Sequence, residues 1–282
     1  MRVMRLLASR ATLLASVTVV IGASLVGQST VSGGTAARST GARPAAVSPV
    51  VAPVITLAAA TTTAPTSRPM FWRETVQYGA SDTGPYHISH VYEVQIRLRR
   101  AGAYSGPITG YFGPLTKAAV QRFQKSQGLV ANGVVAAATW NRLIRVSTSR
   151  SAGWRALPAV CRAAGWHTCY SRSTHELFTL YSGTLWNAWL VRGGAAGLQT
   201  VRGTYRVYWQ DIDHRSSLFN GAPMPYSQFF YGGEAIHGSG TMVNPLVGHS
   251  HGCINMYIKD AAELWRLTAG KAHVVTVYGA WA

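Results

Sequence analysis

Between Ile236 and Met256 the chain gathers three histidines, His237, His249 and His251, around Cys253. A thiol attacks a carbonyl as its thiolate, and an ordinary cysteine is mostly protonated near neutral pH. An imidazole within hydrogen-bond reach can take that proton and later return it to a leaving amine. Gly252 lets the backbone turn sharply beside the sulfur, so that amide N–H groups can face a developing oxyanion. These residue types point to acyl transfer through Cys253. They also admit a second reading, because His249-x-His251-x-Cys253 with His237 could satisfy zinc's ligand preferences. No CxxC or HExxH signature accompanies them.

The other two cysteines, Cys161 and Cys169, lie eight positions apart and are natural disulfide partners in an oxidising compartment. Cys253 is then the odd thiol, which in an exported protein needs a reason. Export is expected from the N-terminus. Arg2, Arg5 and Arg10 open the chain, Ala11 to Gly27 is apolar apart from Ser16, Thr18 and Ser24, and small residues follow. Residues 1–37 read as a signal peptide or N-terminal anchor, with cleavage near Thr35-Ala36-Ala37. Contact with a membrane is expected only if that segment stays uncleaved. Residues 38–70, rich in Ala, Pro, Ser and Thr, read as an extended tether.

The chain holds 26 Lys+Arg against 9 Asp+Glu. Residues 69–160 carry eleven basic and three acidic side chains, whereas residues 161–282 carry nine and six, so the excess sits toward the N-terminal side. That balance suits an anionic polymer. Without a helix-turn-helix, zinc-finger or RNP-like pattern, a nucleic-acid partner is not expected.

Two kinds of elements must position the reactive segment. Val91, Val94 and Leu98 repeat at helical spacing and Gly102 closes that segment; Gly113-Pro114 opens a second helix with Leu115, Ala119, Val120 and Phe123 on its apolar face. A third carries Ala137, Trp140, Leu143 and Ile144. A linker is expected over Ser147 to Ser151, after which the pattern turns strand-like. Glu176–Tyr181 and Thr184–Val191 form a hairpin about Ser182-Gly183, Thr204–Trp209 and Val274–Tyr278 are further strands, and Ile258–Ala269 is one embedded helix. Asp211-x-Asp213-His214 reads as a solvated hairpin loop, and Trp186, Trp189 and Trp209 as core or sheet-surface residues.

The helical stretch resembles the peptidoglycan-binding domain 1 family through Val94-Gln95, Ile108 to Gly113, Phe123-Gln124, Gly128-Leu129, Asn132-Gly133 and Thr139-Trp140. His237-Gly238 and Ser250-His251-Gly252-Cys253-Ile254-Asn255 resemble the signature of the L,D-transpeptidase catalytic domain of the YkuD type. Thr200-x-x-Gly203-x-Tyr205 and Met224-Pro225-Tyr226 resemble blocks upstream of it, with Val201 where that family usually has Pro. The resemblance implies a multidomain chain: a three-helix peptidoglycan-binding bundle over 88–145, then a mainly β, sandwich-like catalytic domain over 161–280. It implies that Cys253 is the nucleophile, His237 the proton acceptor and donor, and His251 an orienting residue. Gly252 and Cys253 would lend amides to an oxyanion hole, while Ser250, Asn255, Ser239 and Tyr226 would serve the substrate. The implied partners are peptidoglycan stem peptides and glycan strands outside the cell, the implied activity is 3→3 crosslinking, and no cofactor is expected.

Overall fold

Helix α1 (Val91–Arg100) begins where Asp82, some ten residues upstream, accepts the Ser89 and Tyr92 amides, so orphan donors of the first turn are satisfied from a distance. It ends at Gly102, whose φ of +76° suits the left-handed turn after a helix. The computed structural model describes residues 71–84 and 86–282. The expected signal segment and tether lie outside the described residues. Pro114 stands in the first turn of α2 (Pro114–Ser126), whose buried face is Thr116, Ala119, Val120, Phe123 and Gln124. Leu115 is exposed, one step off that arc, and Ala137 is likewise exposed at the start of α3 (Ala137–Arg150).

The linker expected over Ser147 to Ser151 is not a linker. Helix α3 runs through Arg150, and Ser147, Thr148 and Ser151 are buried. Serine tolerates this helix because Ser147 and Ser149 hydroxyls donate to the Ile144 and Val146 carbonyls one turn back. Ser151 then caps the short helix α4 (Ala152–Arg155) through the Gly153 and Trp154 amides.

Nine strands follow in two sheets. The first has the order β3-β2-β1-β9-β4 and comprises β1 (Trp166–Ser171), β2 (Glu176–Tyr181), β3 (Thr184–Leu190), β4 (Gly203–Arg206) and β9 (His273–Tyr278). The second has the order β5-β6-β7-β8 and comprises β5 (Trp209–Arg215), β6 (Pro223–Tyr231), β7 (Glu234–Gly238) and β8 (Ile254–Met256). Helix α5 (Ile258–Thr268) packs on β6 and β7. Thr204 to Trp209, expected as one strand, is split between the sheets. The Val207 amide donates to His273 in the first sheet and the next amide, Tyr208, donates to Phe229 in the second. Asp211 to His214, expected in a loop, lie within β5.

Two cores result. One lies between the helices and the first sheet, where Val94, Trp140 and Ile144 join Phe178 and Ala188 with the bonded Cys161–Cys169 pair. The other joins the two sheets and α5 through Trp189, Ile236, Ile254, Met256 and Leu264. The helices and the β domain therefore share buried apolar surface. Among the described residues no helix is long and apolar enough to cross a membrane.

Candidate active site

Strands β7 and β8 run parallel and pair His237 with Asn255. Cys253 stands in the bend immediately before β8, two residues ahead of Asn255. Cys253, His237 and Asn255 all line one cleft of about 1120 Å³. Its walls include Arg192, Trp209, His214, Phe219, Glu234 and Ser239.

The His237 Nδ1–H donates to the Gly238 carbonyl at 2.8 Å, because a carbonyl can only accept. This leaves Nε2 as the ring's basic nitrogen. Burial pushes the His237 pKa down to about 4, and the nearby His214 and Arg192 add to that. The imidazole is therefore neutral at pH 7 and able to accept a proton. Burial pushes the Cys253 thiol up, the Ala235 amide draws it down, and the Glu234 carboxylate pushes it up further. At rest both groups are uncharged, and the sulfur lies 3.9 Å from the Gly233 carbonyl.

Ser250 closes the turn that carries the thiol. Its hydroxyl donates to the Cys253 carbonyl at 2.5 Å and accepts the Gly252 amide at 3.1 Å. That corrects one expectation: the Gly252 N–H is committed to Ser250 and is not turned toward an oxyanion. Gly252 is needed for another reason. At φ +129° a Cβ there would be strained and would meet Glu234 Oε1 at 3.0 Å. Asn255 is nearly buried, and its Oδ1 has no hydrogen-bond partner among the described residues. Ser239 lies on the cleft wall and shares a hydrogen bond with Thr241.

Two histidines of the motif have aromatic partners. His251 stacks on Phe219, ring centroids 4.6 Å apart, beneath the tip of the β5–β6 hairpin. His249 packs between His175 and Trp281. Among the described residues the three imidazoles and the thiol do not gather as metal ligands. The one group of three potential ligands is His90, Glu93 and Asp260, none of which lines the cleft. There the Arg73 guanidinium already supplies the cation, 2.9 Å from Glu93 and 3.5 Å from Asp260. Tyr226, expected in the substrate site, is not on the cleft wall. It has a φ of +60° and packs toward Trp265 and the inter-sheet core.

Three cleft residues escaped the sequence reading. His214 is held by Asp211 (Nδ1 to Oδ2, 3.1 Å) and by edge contacts with Trp209 and Phe229. Arg192 donates to the Thr241 hydroxyl at 2.9 Å, and its backbone exchanges hydrogen bonds with Asn255. Glu234 reaches the cleft from the first residue of β7. Only the Asp-x-Asp-His spacing carried a signal in sequence; the other two come from segments with no motif.

Comparison with known proteins identifies the two families the chain resembles. Residues 89–143 match the putative peptidoglycan binding domain model and residues 167–277 match the L,D-transpeptidase catalytic domain model. The chain is 37% identical over 106 residues to a zinc D-Ala-D-Ala carboxypeptidase of Streptomyces albus G, covering 33% of this chain and 38% of that protein. It is 49% identical over 51 residues to an uncharacterized protein of Kitasatospora aureofaciens, covering 18% and 43%. The chain thus spans less than half the length of either curated relative. Among solved structures it is similar to an L,D-transpeptidase from Stackebrandtia nassauensis, with 23% identity, 76% of this chain and 98% of that chain covered, and a TM-score of 0.46. It is also similar to residues 123–326 of one from Xylanimonas cellulosilytica, with 25% identity, 76% and 100% coverage, and a TM-score of 0.42. By its two family matches, the chain consists of a peptidoglycan binding domain followed by a YkuD-type L,D-transpeptidase catalytic domain.

Proposed function

We propose that this protein is an extracytoplasmic cell-wall transpeptidase that forms 3→3 crosslinks through a Cys253 acyl-enzyme. The observation that carries the reading is a neutral His237, its Nδ1–H fixed on Gly238, lining the same cleft as a thiol that stands immediately before the adjoining strand β8. Cys253 attacks the carbonyl between an L-centre and the terminal D-residue of a donor stem tetrapeptide. His237 Nε2 takes the thiol proton as the sulfur–carbon bond forms, then delivers it to the departing amine. The Cys253 amide would supply the oxyanion donor, since Ser250 engages that of Gly252. Asn255, with its free Oδ1, would orient the donor peptide. The side-chain amine of a diamino acid on a second stem then attacks the thioester. The helical module, with its positive excess, would hold the enzyme on the wall.

The test is intact mass and muropeptide analysis after incubating wild type and Cys253→Ala with disaccharide-tetrapeptide. A dimer lacking one terminal D-residue, absent in the mutant, is the expected outcome. Shortened monomers alone would make the site an L,D-carboxypeptidase, and no turnover of any stem peptide would leave only wall binding.

A further inference from the structure

Among the described residues Glu234 is the only carboxylate on the cleft wall. Six of the chain's nine acidic residues pair with a basic side chain. Of the other three, Asp82 accepts two backbone amides and Asp213 is exposed on β5 away from the cleft. Glu234 has only the Val201 amide, shared between its two oxygens at 3.2 and 3.1 Å. In a chain with 26 basic residues, a half-buried acid without a cation is conspicuous. Val201 stands where the resemblance has Pro, and proline has no N–H to give. The departure from the family pattern and the acid therefore belong to one device.

That device sits against the nucleophile. Glu234 Oε1 would lie 3.0 Å from a Cβ at Gly252, and the carboxylate acts electrostatically on the Cys253 sulfur. Glu234 begins β7, on one side of β8; Arg192, bridged to Asn255, flanks the other side. A cation entering beside the thioester thus meets a carboxylate on one side of β8 and avoids the guanidinium on the other.

We infer that Glu234 is the acceptor-binding residue, recognising the incoming nucleophile as a primary ammonium and holding it beside the Cys253 acyl group. The inference rests on the transpeptidase reading above. An ammonium supplies the countercharge that Glu234 lacks. Burial holds this carboxyl at about 7, so it can also keep a proton. In the transfer the ammonium gives one proton to the Glu234 carboxylate, and the free amine forms a C–N bond with the thioester carbon. The C–S bond breaks, Cys253 leaves as thiolate, and the second nitrogen proton passes to His237 Nε2. The products are a neutral amide, a protonated Glu234 and an imidazolium–thiolate pair, with charge conserved.

The test reads how the acyl-enzyme partitions. Wild type, Glu234→Gln and Glu234→Asp are acylated by disaccharide-tetrapeptide, then challenged with a diamino-acid stem peptide or with hydroxylamine, which is neutral at pH 7. Aminolysis is scored against hydrolysis per D-residue released, so a change in acylation rate does not enter. Glu234→Gln should lower the ratio for the cationic acceptor about tenfold, the loss of one ion pair's worth of affinity, and the hydroxylamine ratio by less than about twofold. Glu234→Asp, which keeps the charge, should retain most of the preference. Equal ratios in wild type and Glu234→Gln, or equal losses with both acceptors, would overturn the inference while leaving the transpeptidase reading intact. Release of no D-residue by wild type would overturn that reading itself, and this inference with it.

Discussion

Two clusters of ionisable side chains in the molecule are built on opposite rules. Beneath the helices, Arg73 and Arg97 both grip Glu93, at 2.9 and 2.7 Å, while His90 and Asp260 meet at 3.2 Å, all fully buried. Burial alone would raise the Glu93 carboxyl, but Arg73 and Arg97 hold it down to about 2. Arg73 and Arg97 also donate to the Ala188 carbonyl of β3, stitching the helical module to the first sheet. In the cleft the groups are undersupplied instead: His237 is neutral, Cys253 is a thiol, and Glu234 has no cation. Charges already matched to one another by the fold do no chemistry. Groups left short of partners can take on charge when a substrate provides the missing partner.

Three experiments probe that contrast. The largest effect should come from His237→Ala, which removes the base and should slow single-turnover release of the D-residue by about 10²–10⁴-fold. If the loss were under tenfold, another imidazole of the cleft, His214, His249 or His251, would be the base. Next, Arg73→Met should lower stability by about 3–5 kcal/mol in urea unfolding, because it strands buried Glu93 and Asp260 charge. Cys253 alkylation in the folded mutant should stay as in wild type. A loss under about 1 kcal/mol would mean the network is not a lock.

The smallest effect separates the clusters by pH. His237 titrates lower in the fold than in the unfolded chain, so the unfolded chain binds its proton first. Its contribution is complete above about 6.5 and is lost as pH falls toward about 4, to the extent of about 3 kcal/mol. The Glu93 carboxyl is also depressed in the fold, so its contribution is present above about 4.5 and is lost as pH falls toward about 2. Urea midpoints measured against pH should show two falling limbs, and His237→Asn should reduce only the upper one, which His237 shares with buried His273, lowered to about 3, and with Glu234, whose carboxyl, raised to about 7, acts with the opposite sign. Loss of both limbs in that mutant would show that the clusters are coupled.

Much of the architecture was legible in the sequence. The helix of α1, the Pro114 start of α2, the hairpin about Ser182-Gly183 and the final helix and strand each depend on spacing within one short segment. The His237 and Cys253 pair was legible for the same reason, since both stand in a motif. Two of the misreadings come from contacts between distant segments. Serines read as a linker became helix once Arg97 reached Ser147 at 3.0 Å. Tyr226 left the site because β6 turns its side chain toward Trp265. The Gly252 amide was claimed by a neighbour, Ser250, through a turn geometry that residue types do not reveal.

By itself, the sequence determined which elements form and which residues could react, because hydrophobic period, turn chemistry and motif spacing are local properties of the chain. Only the tertiary structure decided which reactive groups lack partners. Among the described residues Glu234 has no paired cation in a strongly basic chain, because the fold brings it to Val201 and Gly252 and seats Arg192 on the other side of β8. Charge balance in a cleft is a sum over residues distant in sequence, and folding alone sets which of them enter it.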